Sequence, residues 1–544
     1  MAEGHPTEGS GDERQAAPRW RGPLLVVVLC LAVFALFWVF SRAKNKDRAA
    51  EACFKALFSN QVGRALEIFQ EYREFAKDDV PSDVRDDFLR LKADRYKGTY
   101  PIYTEQVDEE FLDRTVFFCL ASDYALTRAK DQPSAALRAL LYAWRNVQSG
   151  GHGAAGSGLD VNPLHVLYRG YGNSVQHAWV MASLLRYQGM HAAVILLRDS
   201  PQDDQRREGA DGGDKVDGAL PATGQGAGEG EEEPYAIVGV VGDRGRRLYL
   251  FDPYRAVPIC RASDRRIADL QTLLSGEDGL APGLGGPETP VTVARLRNGL
   301  YLVPTTVVGV LPDGFLLQQI IRQNRQPYVV HRSFREDLRN LASVVFGQGA
   351  ETEDRFTSLK LEGQGAVVRL WNYPFLVASK LADRGSGYFD RLTRAHRAMA
   401  TIYLKARQAQ LLGNAALART LYDDALAKHP DDAEAVEDIR FFKASLAPAE
   451  VEEAPDEDAL ASVLAGQVRA FTEYLRAYPS GRWRPLATLL LAELQALSGN
   501  AETARDLAAQ LKGSPYALRA RLLTWALRDG KRRIVFRFPE TDGD

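Results

Sequence analysis

The chain has 544 residues, enough for about three or four structural units. Its apolar fraction of 45% and charged fraction of 26% are ordinary for a globular protein, and they exclude a wholly disordered chain or a multi-span membrane protein. With 68 Lys and Arg against 71 Asp and Glu, the net charge is −3, so nothing in the charge indicates nucleic acid as a partner. Its 4 scattered cysteines exclude a disulfide framework and a CxxC metal site.

The N-terminus contains a long apolar run. Residues 1–22 are rich in Gly, Pro, Glu and Arg, which predicts a disordered tail. Leu24 to Phe40 is apolar without interruption, about 26 Å of helix, and predicts a transmembrane anchor over residues 23–41. The run is longer than the apolar region of a signal peptide, usually about 7–15 residues. We therefore expect a single-pass membrane protein.

The charges beside this run leave the orientation of the anchor open. Arginines precede the run, and arginines and lysines follow it, so the positive-inside rule does not select a side. We expect the soluble part to be extracytoplasmic, although the flanking charges do not decide it.

A helical lead-in is predicted over residues 42–130. Apolar residues recur there every three or four positions, especially in 47–95 and 109–129. Pro133 then marks the start of another helix, which ends at the glycines after Gln148.

Residues 131–275 combine helical and strand patterns. Asn173 and Gln176 have the spacing of a helix N-cap pair, and Gly189 is a natural helix end. β-Branched and apolar runs then predict strands over 191–197, 235–241 and 247–252. The segment 203–234 is dominated by glycine and acidic residues and predicts a disordered insertion.

The rest of the chain divides by composition. Residues 290–384 mix short apolar runs with polar helical stretches, which predicts an accessory α+β region. Residues 385–445 predict a helical hairpin, 446–460 an acidic linker, and 461–530 a second helical-repeat unit. The hairpin resembles the second half of a tetratricopeptide repeat, because small residues, an aromatic residue and a proline fall at the repeat's spacing: Gly413, Ala418, Tyr422, Ala425 and Pro430.

The segment from about 134 to 260 resembles the transglutaminase-like family, a papain-type α+β core found in many bacterial proteins. The family motif begins G-x-C, which Gly172 opens here with Ser174 in the cysteine position. Counted from Ser174, further motif residues recur at the family's positions: Ala178, Leu184, Arg186 and Gly189. Downstream, Asp252 in the run LYLFDP matches the acid of the family's triad. The resemblance implies a bacterial α+β core between the transmembrane helix and an all-α helical-repeat end.

Two of the three triad positions depart from the family. The nucleophile position holds Ser174, and the histidine position, seventeen residues before Asp252, holds Tyr235. A serine alcohol is much less acidic than a thiol and needs a correctly placed base before it can attack. Ser174, Tyr235 and Asp252 are therefore the candidate site, and the resemblance implies that this site is catalytically inactive.

Alternatives remain open for these residues. His177, three residues after Ser174, or His165 could supply a base for Ser174 and Asp252. The structural alternatives are that Ser174 satisfies free N–H groups in the first helical turn and that Asp252 caps the turn into Pro253. Tyr235 would then be a cross-strand packing residue.

Two functions follow from these patterns. The first is a membrane-anchored scaffold with an inactive core, whose C-terminal repeats bind a protein partner while residues 23–41 bind the membrane. The second is a hydrolase or acyl transferase that uses Ser174, Asp252 and an unidentified base. The sequence contains no HExxH motif, no paired Cys and His ligands and no phosphate-binding glycine loop, so we expect no metal and no cofactor.

Overall fold

The computed structural model shows a mixed α+β protein. It describes residues 41–59, 61–95, 109–127, 129, 131–149, 163–198, 235–242, 245–281, 290–304, 312–347, 352–355, 358–361, 366–371, 401–428, 433–446, 457–534 and 536.

The elements are numbered here in chain order. The helices are α1 (41–58), α2 (Val62–Ala76), α3 (Ser82–Arg95), α4 (Glu109–Leu126), α5 (Gln132–Asn146), α6 (Pro163–Arg169), α7 (Ser174–Tyr187), α8 (Leu270–Ser275), α9 (Val293–Arg297), α10 (Pro312–Gln323), α11 (Phe334–Phe346), α12 (Thr401–Leu411), α13 (Ala415–Lys428), α14 (Ala433–Ala444), α15 (Glu457–Ala477), α16 (Arg484–Leu497), α17 (Ala501–Ala509) and α18 (Ala517–Arg528). The strands are β1 (Gln148–Ser149), β2 (Tyr171–Gly172), β3 (Ala192–Leu197), β4 (Tyr235–Gly242), β5 (Arg247–Asp252), β6 (Val257–Pro258), β7 (Leu300–Pro304), β8 (Thr352–Arg355), β9 (Ser358–Leu361) and β10 (Val367–Trp371).

The main sheet has eight strands in the order β6-β5-β4-β3-β7-β10-β9-β8. All neighbours are antiparallel except β7 and β10, which run parallel with Tyr301 opposite Val368. Every residue of β3 is buried. Because successive side chains of a strand point to opposite faces, both faces of the sheet are covered at its centre.

The helix α7 lies at the centre of the molecule. Every residue of α7 except Arg186 is buried. It packs against β3, β4 and β7 of the sheet and against the helices α4, α5 and α6. A helix buried on all sides needs an apolar sequence all round, and SVQHAWVMASLLRY is apolar at most of its positions.

The membrane-spanning part of the predicted fold class is wrong, and with it the predicted single-pass membrane localisation. Among the residues that the structure describes, no helix is both long and apolar enough to cross a bilayer. The described helix nearest the predicted anchor is α1, and its first two turns carry five charged residues that a bilayer core does not favour: Arg42, Lys44, Lys46, Asp47 and Arg48. Residues 23–40 of the predicted anchor lie outside the described residues.

The locally encoded elements agree with the sequence. Helices occupy the predicted lead-in stretches, and the strands β3, β4 and β5 lie within a residue of their predicted bounds. The predicted tail 1–22 and insertion 203–234 lie outside the described residues, as do 372–400 and most of the acidic linker. Residues 457–460, predicted as the end of that linker, form the first turn of α15.

The strands of the predicted accessory region belong to the same sheet as those of the core. β7 pairs with β3 in the register Ile195 to Tyr301, and β10, β9 and β8 extend the sheet from there. One apolar core also runs from the lead-in helices through the sheet to the C-terminal helices.

A buried arginine joins the C-terminal helices to the core. Arg407 of α12 is fully buried, and its guanidinium lies 3.9 Å from the ring centroid of Phe442. The same group donates hydrogen bonds to the Leu167 carbonyl at 3.0 Å and to the Asn146 carbonyl at 2.6 Å. Asn146 is the last residue of α5, where carbonyls lack helical partners and a cation is favoured.

Replacing Arg407 with Met should lower the free energy of unfolding by roughly 3 kcal/mol, because the carbonyls of Leu167 and Asn146 lose their donor. The exposed Lys405 on the same helix is the matched control, and Lys405→Met should change that free energy by less than about 0.5 kcal/mol. Urea denaturation of both variants measures the difference. Equal losses would show that Arg407 does not join the two parts.

Candidate functional site

The start of α7 is fixed by a reciprocal cap. The Asn173 side chain accepts a hydrogen bond from the Gln176 backbone N–H at 3.0 Å, and the Gln176 side chain accepts one from the Asn173 N–H at 3.0 Å. The predicted N-cap pair is therefore confirmed. Arg169 also donates to the Gln176 side-chain oxygen at 2.6 Å. The cap places Ser174 at the first position of the helix, facing the sheet.

Ser174 bonds to the sheet. It is only 6% exposed, and its Oγ accepts a hydrogen bond from the backbone N–H of Ala236 in β4 at 3.1 Å. Ala236 lies beyond the pairing of β4 with β5, which begins at Val238. The sequence predicted, as the non-catalytic alternative, that Ser174 would satisfy N–H groups of its own helix. Asn173 supplies that cap instead, and Ser174 satisfies a strand N–H.

Tyr235 and Asp252 are in direct contact. The Tyr235 hydroxyl donates to the Asp252 carboxylate, lying 2.8 Å from Oδ2 and 3.0 Å from Oδ1. Asp252 also accepts a hydrogen bond from the Arg255 N–H at 3.0 Å, which is the turn cap that the sequence offered as its alternative role. The three predicted positions are thus brought to one end of α7, because Tyr235 directly precedes the Ala236 that bonds Ser174.

Burial sets the protonation of this pair. It raises the pKa of Asp252 to about 6, against the opposing effects of the Arg255 guanidinium and the Tyr235 hydrogen bond. Burial, reinforced by the neighbouring Asp252 carboxylate, holds the pKa of Tyr235 well above its usual value. Tyr235 therefore stays protonated near neutral pH. A protonated phenol donates a hydrogen bond and cannot take a proton from a serine.

His177 does not replace the missing base. Its side chain is fully buried, and neither ring nitrogen makes a hydrogen bond of ordinary geometry to any described residue. Burial lowers the pKa of His177 to about 4, although the nearby carbonyls of Gln148 and Pro253 act in the opposite direction. Its ring meets Tyr254 edge-on, with the centroids 5.6 Å apart. His165 falls in α6, and its side chain lies outside the described part of the chain.

Tyr516 and Arg519, near the C-terminus, form hydrogen bonds beside the site. The Ser149 N–H donates to the Tyr516 hydroxyl at 2.8 Å, and the Ser149 hydroxyl donates to the Tyr254 carbonyl. Arg519 donates to the Ala256 carbonyl at 2.6 Å. A cavity of about 10 Å³ remains beside Asp252, with Leu518 in its wall, which is room for roughly one water molecule.

Sequence reasoning missed this closing set. Tyr516 and Arg519 lie in a segment that the sequence described only as a helical-repeat unit, more than 250 residues from the site. Their residue types give no signal, because a tyrosine at a helix start and an arginine on a helix are common on surfaces.

The described residues show neither a metal-binding cluster nor a reactive thiol. No three His, Cys, Asp or Glu side chains among them are grouped so that they could hold a metal ion. Cys53, Cys119 and Cys260 are buried free thiols, and burial raises the pKa of Cys260 to about 12, far from a reactive thiolate.

A comparison of the chain with protein-family models, with curated proteins and with solved structures gives no match.

The Asp252 carboxyl should give the protein a distinctive pH dependence. Its pKa is raised from 3.8 to about 6 by folding, so the folded state binds this proton more tightly than the unfolded chain does. The resulting stabilisation, on the order of 3 kcal/mol, is complete below about pH 4 and is lost as the pH rises through 6. We expect the free energy of unfolding of the wild type, minus that of Asp252→Asn, to fall across this interval in urea titrations.

Asp264 is the matched control, because its pKa is lowered by hydrogen bonds and charge from Arg261 and Arg266, which outweigh burial. The corresponding difference for Asp264→Asn should rise with pH instead. A flat difference for Asp252→Asn would contradict the buried carboxyl described above.

Proposed function

We propose that this chain is a protein-interaction protein with a catalytically inert transglutaminase-like core, and that its C-terminal helices bind a protein partner. The observation that carries the proposal is the hydrogen bond of Tyr235 to both carboxylate oxygens of Asp252. In the family that the sequence resembles, the acid orients an imidazole, and here a protonated phenol takes that place.

The state of Ser174 supports an inert core. A serine nucleophile needs a base within hydrogen-bond reach, about 3 Å, of its hydroxyl. The Ser174 oxygen instead accepts the backbone N–H of Ala236, and neither ring nitrogen of His177 makes a hydrogen bond of ordinary geometry to a described residue. The alternative of a hydrolase or acyl transferase using Ser174 and Asp252 still requires a base, and no geometry described here favours it.

The C-terminal helices support the interaction role. α12 packs against α13, and α16 packs against α17, as helical hairpins do. In the first pair, Gly413 adopts a left-handed backbone with φ of 83°, and Ala418, Tyr422 and Ala425 are buried, as the tetratricopeptide spacing implies. Pro430 lies outside the described residues. Stacked helical pairs offer long recognition surfaces without any chemistry.

The proposal predicts where a partner touches the protein. Leu417 in α13 and Trp525 in α18 are large apolar residues that are 48% and 40% exposed, and Leu89 in the lead-in helix α3 is 53% exposed. We expect a photo-crosslinking phenylalanine analogue at position 417 or 525 of the full chain to capture a discrete partner in cells, identified by mass spectrometry. The same analogue at position 89 is the control and should capture none.

Full-length protein is needed, because the helical end shares one apolar core with the sheet and its deletion would expose that core. Capture at position 89 with none at 417 or 525 would place the interaction on the lead-in helices and contradict the proposal.

A further inference from the structure

A groove lies between the helices α13, α14 and α15. It has a volume of about 680 Å³, within the range of ligand-binding clefts. Its walls come from three successive helices of the C-terminal part, and the long helix α15 supplies most of them. This groove is remote in sequence from Ser174, Tyr235 and Asp252, none of which lines it.

Gln467 in the lining of this groove has a buried amide without a hydrogen-bond partner among the described residues. Its side chain is 4% exposed, and neither the amide nitrogen nor the amide oxygen has a hydrogen-bond partner among the described residues. It lies in an otherwise apolar buried stripe of α15, between Leu464 and Phe471. Because both ends of the amide are unsatisfied, the observation does not depend on which end is nitrogen. A buried donor and acceptor left unpaired cost about 1–3 kcal/mol each, so such a group calls for an explanation.

A peptide backbone satisfies such an amide. Each peptide unit presents one N–H donor and one C=O acceptor, and the glutamine side chain offers the complementary pair. The groove also has apolar walls, including Val463 and Ala470, which suit side chains of an extended segment.

The charge of the groove indicates which segment fits. Its lining carries three cations, Arg419, Arg440 and Lys443, against the single carboxylate of Glu473. Lys443 also pairs with Asp423, which offsets part of its charge. Arg419 also has an interaction of its own. The lining still holds more cations than carboxylates, which favours carboxylates over cations in a bound chain.

Gly466 lines the groove and is exposed. A Cβ atom added at this glycine would meet nothing within 4 Å, so the missing side chain leaves space where a ligand can approach the backbone of α15. We propose that this groove binds an acidic segment of a partner protein, with the Gln467 amide hydrogen-bonded to its backbone. This inference rests on the proposed function and assigns it a site.

The probes are arrayed short synthetic peptides in which acidic and apolar residues alternate, together with the same peptides carrying lysine at each acidic position. We expect the full-length protein to bind acidic members and not their lysine counterparts. Binding of the lysine series alone, or of neither series, would overturn the proposal. The strongest acidic binder, labelled with fluorescein, then reports affinity by fluorescence polarisation.

Gly466→Phe tests the position of the peptide, because the new ring enters open space in the groove and leaves the protein interior unchanged. We expect it to weaken peptide binding by more than about tenfold, whereas the matched variant Gly466→Ala changes it less. Arg440→Glu should weaken binding similarly, and the exposed Arg469 outside the groove is its control as Arg469→Glu.

Gln467→Leu separates binding from folding. It removes an unsatisfied buried amide, so the melting temperature of the free protein should stay equal or rise while peptide affinity falls by about tenfold or more. Unchanged affinity in both Gln467→Leu and Gly466→Phe would refute the site.

The outcomes also separate this site from the proposed function. If partner capture at position 417 or 525 survives Gly466→Phe, the partner binds another face, and the groove proposal is overturned while the proposed function stands.

The chain's own acidic residues near 450–456 are the competing occupant. If Glu452→Gln with Glu453→Gln raised the affinity for the labelled peptide about tenfold, the groove would belong to this chain itself, and the external partner would be wrong.

Discussion

The structure depends on the way in which the buried helix α7 is held against the sheet at its N-terminus. Asn173 caps the helix, and Ser174 extends the attachment to β4 through the N–H of Ala236. α7 contacts four strands and three helices, so the position of its first turn fixes the layers around it. A hydroxyl used in this way is part of the framework, because releasing it would leave a buried N–H without a partner.

The same constraint shapes the electrostatics of the site. Tyr235 and Asp252 satisfy each other, and burial keeps the phenol protonated. Neither ring nitrogen of the buried His177 makes a hydrogen bond of ordinary geometry to a described residue, and burial lowers the pKa of His177 to about 4. The helix α18 closes the site through Arg519 and through Tyr516 directly before it, and the cavity beside Asp252 has a volume of only about 10 Å³. The site is built as a buried polar network.

The sequence predicts well what local patterns encode. The cap at Asn173 and the strands β3 to β5 follow from spacing and strand periodicity. The meeting of Ser174, Tyr235 and Asp252 at one end of a helix is what the resemblance to the transglutaminase-like family implies. The joining of β7 to β3 does not follow from local patterns, because strand pairing over about 100 residues leaves no periodic signal in either segment. The closure by Arg519 and the orphaned amide of Gln467 are likewise tertiary properties. The predicted membrane helix illustrates a different limit. The length of an apolar run alone predicts a membrane-spanning helix, but no described helix is long and apolar enough to span a membrane, and α1, which follows the run, is charged.

The central claim is that the Ser174 hydroxyl is a structural acceptor and not a nucleophile. The most direct measurement is treatment of the native full-length chain with a fluorophosphonate, which phosphonylates activated serine hydroxyls, followed by mass spectrometry of the Ser174 peptide. The account predicts that Ser174 stays unmodified, because its oxygen already accepts the Ala236 N–H and neither ring nitrogen of His177 makes a hydrogen bond of ordinary geometry to a described residue. Stoichiometric labelling at Ser174 in the folded protein, abolished by unfolding or by Ser174→Ala, would contradict it.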